Sequence, residues 1–409
     1  MRIAILGPLD LEFMGGGETN SMMVGNMLCK AGHEVTYFGT GCPLVNVPIE
    51  KIYPKIRFNY TPSAFAQDPM AHPLIVKVTS LLSLGLVGIF SYSKMLNMAK
   101  EFDVVYFSIP NLMARRLSPI LLKEGKKVIL ANHGTFFEYF GNSRNPLFRF
   151  FKKMGEMILI QPLSKDQNGL LIHTQTSFQT SVYKSLGFSG SNIVEIPQNN
   201  VDFGDYKVSN NGGPFTVVFL GRMVKSKGIG LLSQIIQKNQ NIKFHVIGNG
   251  PLLKQFMTMT PCPNVEVYGY ISDEQKRQIL SSSDIMVVPS KFDSLSISAI
   301  EGLASGLAIV ASDSSQGPKY ILGANKILGQ LTKRNVEAFS DCIQTYRCEK
   351  ESDNIQYFKN KIQRRDVAKA LFDMSMLESF LDSAFAEVIN NSPRPQLQEK
   401  YYVTTNIED

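Results

Sequence analysis

The sequence predicts an α/β protein built as two doubly wound domains with an interdomain cleft. Short apolar, β-branched runs alternate with longer helical patterns along most of the chain. The runs are continuous rather than alternating, the mark of strands covered on both faces of a parallel sheet. The pattern also restarts after a polar, Gly-rich stretch, "KVSNNGGP" at 207–214, in a chain of 409 residues. That length exceeds what one hydrophobic core usually fills.

Taken in order, the first half offers strands at "RIAILG" (2–7), "EVTYFG" (34–39), "DVVYFS" (103–108), "KVILAN" (127–132), "GLLIHT" (169–174) and "NIVEIP" (192–197). The second half offers "FTVVFLG" (215–221), "IKFHVIG" (242–248), "VEVYGY" (265–270), "DIMVVPS" (284–290) and "LAIVASD" (307–313). Helical patterns between them imply right-handed crossovers. A last helical pattern, "ALFDMSMLESFLDSAFAEVI" at 370–389, spaces apolar residues three and four apart. The polar tail beyond it predicts disorder. The domains are therefore expected at 1–206 and 214–369, with a helix at 370–390 and a disordered tail at 391–409.

A net charge of +7 suits contact with anions such as nucleotide phosphates or anionic lipid head groups. No basic run is dense enough to favour nucleic acid. The five cysteines are odd in number and none sits at C-x-x-C spacing. That argues against a disulfide framework or zinc site and for a reducing compartment. "MRIAILGPLD" has no long apolar core of a signal peptide and reads as a first strand. The apolar stretch "LIVKVTSLLSLGLVGIF" (74–90) is about 26 Å long as a helix, just short of a bilayer core. Its serines, glycines and Lys77 disfavour a spanning helix. A buried helix and a segment leaning on a membrane surface both stay open.

Ligands bind at the C-terminal strand edge of open α/β sheets, so chemistry is sought there. After the first strand, Gly16 and Gly17 of "GGGETN" stand at a helix start, where bare amides suit a phosphate. The spacing is not G-x-G-x-x-G, and a plain tight turn fits as well. In "FLGRMVKSKGIGLL", Arg222 and Lys227 follow a strand end. Two cations there can neutralise a diphosphate without a metal, or can be merely solvated charges. Gly248 belongs to another strand-end turn, "HVIGNGPL". In "VPSKFDSLSISAIEGLASG", residues Ser294 to Ser298 open a helix carrying Glu301. The amides of Leu295, Ser296 and Ile297 are expected as free first-turn donors. Glu301 has small, apolar neighbours and so needs a polar partner, a role ligand hydroxyls can fill. His133 directly follows a strand and is placed for chemistry. His33 lies at the opposite edge and reads as structural, and His173 and His245 sit inside strands.

Together these pieces resemble the GT-B retaining glycosyltransferases, specifically glycosyltransferase family 4, from Met1 to about Asn390. "GGGETN…AGHEV" is similar to the family's GGxE loop and GHEV turn. "NHG", "IPQNNVDFGDY", "GRMVKSKG" and "VIGNGP" resemble further family segments, and Asp293 with Glu301 overlays its E-x7-E pair. The resemblance implies two Rossmann-like domains, an acceptor domain first and a nucleotide-sugar donor domain second. The final helix would cross back to the first. It also implies roles. Arg222 and Lys227 would hold the donor diphosphate, Glu301 the ribose hydroxyls, and Asp293 and His133 would face the transferred sugar. The amides of Leu295 to Ile297, with Gly16 and Gly17, would line the phosphate path, with Ser294 and Gly248 in the same donor site. No metal or other cofactor is expected. The substrate would be a nucleotide-diphosphate sugar, UDP-sugar favoured and GDP-sugar next.

The sequence departs from the family at Asp293, which replaces Glu and reaches about 1.5 Å less far. Ser294 and Ser296 stand where glycines are frequent. Rival readings are a non-catalytic sugar-nucleotide binder, a nucleotide-sugar epimerase and, more distantly, a Rossmann oxidoreductase. The expected acceptor is lipid-linked, polysaccharide or another glycan. "NPLFRFFKKMGEMILI" (145–160) puts Leu147, Phe150, Phe151, Met154 and Ile158 near one helical face, apart from most of its charges. It reads as a core helix or as a basic amphipathic surface helix. The second reading predicts a cytoplasmic protein in peripheral contact with an anionic inner membrane face.

Overall fold

The computed structural model describes residues 1–7, 16–40, 54–61, 92–108, 112–132, 160–165, 168–197, 199, 201–210 and 212–375, with Met154 and some positions between Glu378 and Ala386. Two stretches expected to be helical, 74–90 and most of 145–160, lie outside these residues, as do His133 and the tail at 391–409. Contacts divide the chain into two compact units, one of Met1–Asn200 with Glu378–Leu397, the other holding Val201–Leu377.

The first unit runs β1 (Arg2–Leu6), α1 (Gly16–Lys30), β2 (Glu34–Thr40), β3 (Arg57–Thr61), α2 (Tyr92–Lys100), β4 (Val104–Phe107), α3 (Leu112–Lys123), β5 (Lys127–Ala131), β6 (Leu170–Thr174), α4 (Ser177–Ser185) and β7 (Ile193–Glu195). Its strands form one parallel sheet in the order β3-β2-β1-β4-β5-β6-β7. Every residue of β4 and β6 is buried, which is why those runs carry no polar alternation. One face packs Phe38, Val105, Phe107, Leu130 and Ile172 against Leu117 and Leu121 of α3. Strand order reverses between β1 and β4, and α1 begins with Gly16 and Gly17 beyond the end of β1.

The second unit runs β8 (Thr216–Leu220), α5 (Ile229–Lys238), β9 (Lys243–Ile247), α6 (Leu253–Met259), β10 (Val265–Gly269), α7 (Asp273–Ser282), β11 (Ile285–Val288), α8 (Ile297–Ala304), β12 (Ala308–Ser312), α9 (Gln316–Gly323), β13 (Gly329–Thr332), α10 (Val336–Ser352) and α11 (Asn354–Phe372). Its parallel sheet has the order β10-β9-β8-β11-β12-β13, reversing between β8 and β11. Successive residues of one strand serve opposite cores. Val217, Phe219, Phe244, Val246 and Val310 pack with α5 and α10. Val218, Ile247, Met286, Val288 and Ile309 pack with α8, α9 and α11. The expected α/β class with two doubly wound sheets is borne out.

Two strands escape the sequence reading, β3 ("RFNYT") and β13 ("GQLT"). Each lies at the edge of its sheet with a single neighbouring strand. Both also lack the Val and Ile that still mark the other two edge strands, β7 and β10. The helical pattern at 370–389 is also broken. α11 ends at Phe372, and Asp373 is extended at φ −63°, ψ 132°. Its buried carboxylate accepts from the Phe203 amide at 3.1 Å and the Ser375 amide at 3.0 Å. Asp373 thus stops one helix and caps the next turn. Further on, Glu378 pairs with Lys30 at 3.3 Å, and Phe385 packs against Tyr106 and His173.

The polar 207–214 stretch is not where the two units part. Contacts divide them at Asn200–Val201, because Val201, Phe203 and Tyr206 already belong to the second unit's core. Among the described residues, no helix is long and apolar enough to cross a membrane.

Candidate functional site

In the second unit strand order reverses between β8 and β11, and the C-terminal edge of the sheet at such a reversal is where open α/β sheets bind ligands. Close backbone approach shapes this edge. Gly228 closes the loop after β8 at φ +77°, and a Cβ there would lie 2.1 Å from the Pro289 carbonyl oxygen. Gly248, at φ +143°, would bring a Cβ within 1.9 Å of the Gly221 carbonyl oxygen. Only glycine fits either place. The Lys291 amide donates to the Ser226 carbonyl at 2.7 Å, tying the two loops together.

Across this seam Lys227 Nζ meets Asp293 Oδ2 at 2.5 Å, with both side chains largely buried. The Asp293 carbonyl is fixed from the other side by the Gly317 amide at 2.9 Å and Ser315 Oγ at 3.3 Å. Arg222 stands beside the seam at the end of β8. Its side chain is exposed and makes no ion pair or hydrogen bond with another described residue.

α8 starts immediately after. Ser296, its N-cap, has φ +67° and is the one non-glycine with positive φ among the described residues. Its buried Oγ has no hydrogen-bond partner among them. The left-handed conformation alone costs about 1–2 kcal/mol, and strain of this kind clusters at functional sites. The amides of Leu295, Ser296 and Ile297 donate to no described residue. Bare amides at a helix start attract anions.

Glu301, farther along α8, is half-enclosed and fully engaged on one side. Its Oε1 lies 2.6 Å from Lys276 Nζ and accepts from Tyr206 Oη at 3.0 Å. Lys276 also holds Asp273 at 2.8 Å. Burial works against its charge, but Glu301 and Asp273 outweigh burial and raise its pKa. Burial and the Glu301 carboxylate push the Tyr206 phenol far up, so it stays a donor. Neither Tyr206 nor Lys276 was legible in the sequence as a site residue. Lys276 reads there as one more charge on the polar face of α7.

Of the expected site residues, the second unit brings together Arg222, Lys227, Gly248, Asp293, Ser294, Leu295, Ser296, Ile297 and Glu301. Gly16 and Gly17 open α1 at the corresponding edge of the first unit. His173, inside β6, is buried; desolvation lowers its pKa to about 4 despite a bond to the Ile196 carbonyl. Among the described residues no group of three or more His, Cys, Asp or Glu is placed to hold a metal ion.

Residues 204–361 match the family described as "Glycosyl transferases group 1". The phosphatidyl-myo-inositol mannosyltransferase of Mycolicibacterium smegmatis is 24% identical over 332 residues, covering 76% of each chain. Among solved structures, HepE of Anabaena, in complex with UDP and glucose, superposes with a TM-score of 0.69 at 15% identity, covering 95% of this chain and 100% of that one. Sucrose-phosphate synthase of Thermosynechococcus elongatus gives 0.70 at 14% identity, over 96% and 100%.

Proposed function

This chain belongs to the glycosyl transferases group 1 family and is a glycosyltransferase of GT-B fold, and we propose that it is a retaining hexosyltransferase using a nucleotide-diphosphate sugar. UDP-sugar is the favoured donor, with GDP-sugar next. The observation that carries the reading is the Lys227–Asp293 pair at the strand-order reversal, flanked by Arg222, which pairs with no described residue, and by a helix start whose amides donate to none of them.

In the proposed reaction Arg222, Lys227 and the amides of Leu295 to Ile297 stabilise charge developing on the leaving diphosphate. Lys227 has three donors, so it can keep Asp293 and still meet a phosphate oxygen. Asp293, thus oriented, faces the transferred sugar, and Glu301 takes the ribose hydroxyls. The bond from the anomeric carbon to the phosphate oxygen breaks as the bond to the acceptor oxygen forms on the same face. The acceptor's proton goes to the departing phosphate. Gly16, Gly17 and His133 complete the donor and sugar contacts in this reading.

UDP and glucose in the HepE structure support the donor class, and a phosphatidyl-inositol-directed relative supports a lipid-linked acceptor. A polysaccharide or other glycan remains within the proposal, as does peripheral contact with an anionic membrane. A thermal-shift panel of UDP, GDP, ADP and TDP tests the donor. A ligand that binds only the folded protein raises its melting temperature, and Arg222→Ala should abolish most of the shift. Failure of all four to shift the wild type would sink the proposal. The anomeric configuration of the product, read by NMR, tests retention. Cosedimentation with phosphatidylglycerol vesicles at low salt tests the membrane contact, which fails if the protein stays in the supernatant.

A further inference from the structure

The hydrogen bonding around Glu301 is one-sided. Lys276 Nζ and Tyr206 Oη both address Oε1, at 2.6 and 3.0 Å, and no described residue forms a hydrogen bond to Oε2. A carboxylate can accept about four hydrogen bonds over its two oxygens. A triad that served only to fasten elements together has no reason to leave one oxygen idle in a setting where Glu301 is 13% exposed.

Both donors are themselves fixed. Ser272 and Gln275 form a capping box that sets the first turn of α7, and Asp273 holds the Lys276 ammonium at 2.8 Å. Tyr206 sits in the second unit's core, on a segment that Arg365 grips through the Phe203 carbonyl at 2.7 Å. Arg277 ties α7 to Asp205 of the same segment at 3.7 Å. The donors thus come from two rigid places remote in sequence and converge on one oxygen atom.

We infer that Lys276 and Tyr206 are positioning residues that lock the Glu301 carboxylate by Oε1, leaving Oε2 as the acceptor that reads the ribose hydroxyls of the nucleotide. The inference rests on the donor reading above. Lys276 fixes where the carboxylate sits, Tyr206 fixes its rotation, and Oε2 then selects ribose over a sugar without hydroxyls. Binding geometry of this kind depends on the supporting shell as much as on the contacting atom.

The test is titration calorimetry of the full chain with UDP and 2′,3′-dideoxy-UDP, and with GDP and its dideoxy form. The wild type should bind the ribose form of its nucleotide about tenfold or more tightly than the dideoxy form, each well-made hydrogen bond to a charged group being worth about that factor. In Lys276→Met this preference should shrink to about twofold, with dideoxy affinity nearly unchanged. Tyr206→Phe removes a single hydroxyl and should shrink the preference partway. Lys276→Arg should restore it. Melting without nucleotide reports whether each variant is folded, and Tyr206→Phe carries the test if Lys276→Met is not. Equal weakening of ribose and dideoxy forms marks a purely structural triad and overturns the inference. So does an unchanged preference. Loss of all nucleotide binding in the wild type instead overturns the donor reading, a distinct result.

Discussion

Two Lys–Asp pairs flank β11, one at each end, and they are built to different ends. Before the strand, Asp284 is saturated. Lys350 reaches Oδ1 at 3.0 Å and Oδ2 at 3.1 Å, and the Thr216 amide adds a bond to Oδ2 at 2.8 Å. Lys350 spends another proton on the Gly213 carbonyl at 3.0 Å. Side-chain exposure is 7% for Lys350 and 2% for Asp284, against 19% for Lys227 and 12% for Asp293 beyond the strand. Burial raises the Asp284 pKa although Lys350 and Thr216 pull it down. Around it Lys361 donates to the Ser283 and Ser209 carbonyls at 2.8 and 3.2 Å. The far pair has no such closure among the described residues, where Asp293 is the one side chain that Lys227 holds. The same ion pair fastens the fold where every donor is used and, in the proposed reading, serves a ligand where some are spare.

Predictions sharpen this contrast, from the largest effect down. Lys350→Met leaves Asp284 buried without its cation and should lower stability by about 3–5 kcal/mol. The urea midpoint of the full chain reads it, and donor turnover per folded molecule should hold; a parallel loss of turnover would erase the contrast. Lys227→Met should do the reverse. Donor turnover should fall about 10²–10³-fold, while the midpoint moves by no more than about 2 kcal/mol.

The third prediction concerns Lys361, whose pKa burial lowers from 10.5 to about 8, against the pull of Asp284. In the window from about pH 8 to 10.5 the unfolded chain holds the proton and the folded chain does not. Stability should therefore rise with pH there, by up to about 3 kcal/mol. The gain should be missing from Lys361→Met, as the difference between the two urea midpoints across that range will show. A difference that is flat or falling would contradict the assignment. The smallest effect is Ser296→Gly, which removes the left-handed strain and a buried hydroxyl with no partner among the described residues. It should stabilise the protein by about 1 kcal/mol, seen as a higher melting temperature.

The central strands were legible because burial on both faces forces continuous apolar runs, as in "IMVV" of β11 and "AIVAS" of β12. The edge strands β3 and β13 are under less of that pressure, hold no Val or Ile, and did not show. Arg222, Lys227, Asp293 and Glu301 could be placed near the sheet edge from the sequence because Arg222 and Lys227 follow β8, Asp293 follows β11 and Glu301 lies on the helix after it. Lys276 and Tyr206 could not. They reach Glu301 from 25 and 95 positions away, and no local pattern encodes which carboxylate a lysine will meet.

By itself the sequence determined the α/β class, the two doubly wound sheets and the residues at the edge of the second one. Local periodicity and strand-end spacing suffice for those. Only the tertiary structure decided that Lys227 meets Asp293 and that Ser296 is strained, its hydroxyl bonded to no described residue. It alone showed that two distant donors hold Glu301 by a single oxygen. Those facts depend on how loops after separate strands pack together, and packing at that range leaves no period in the chain.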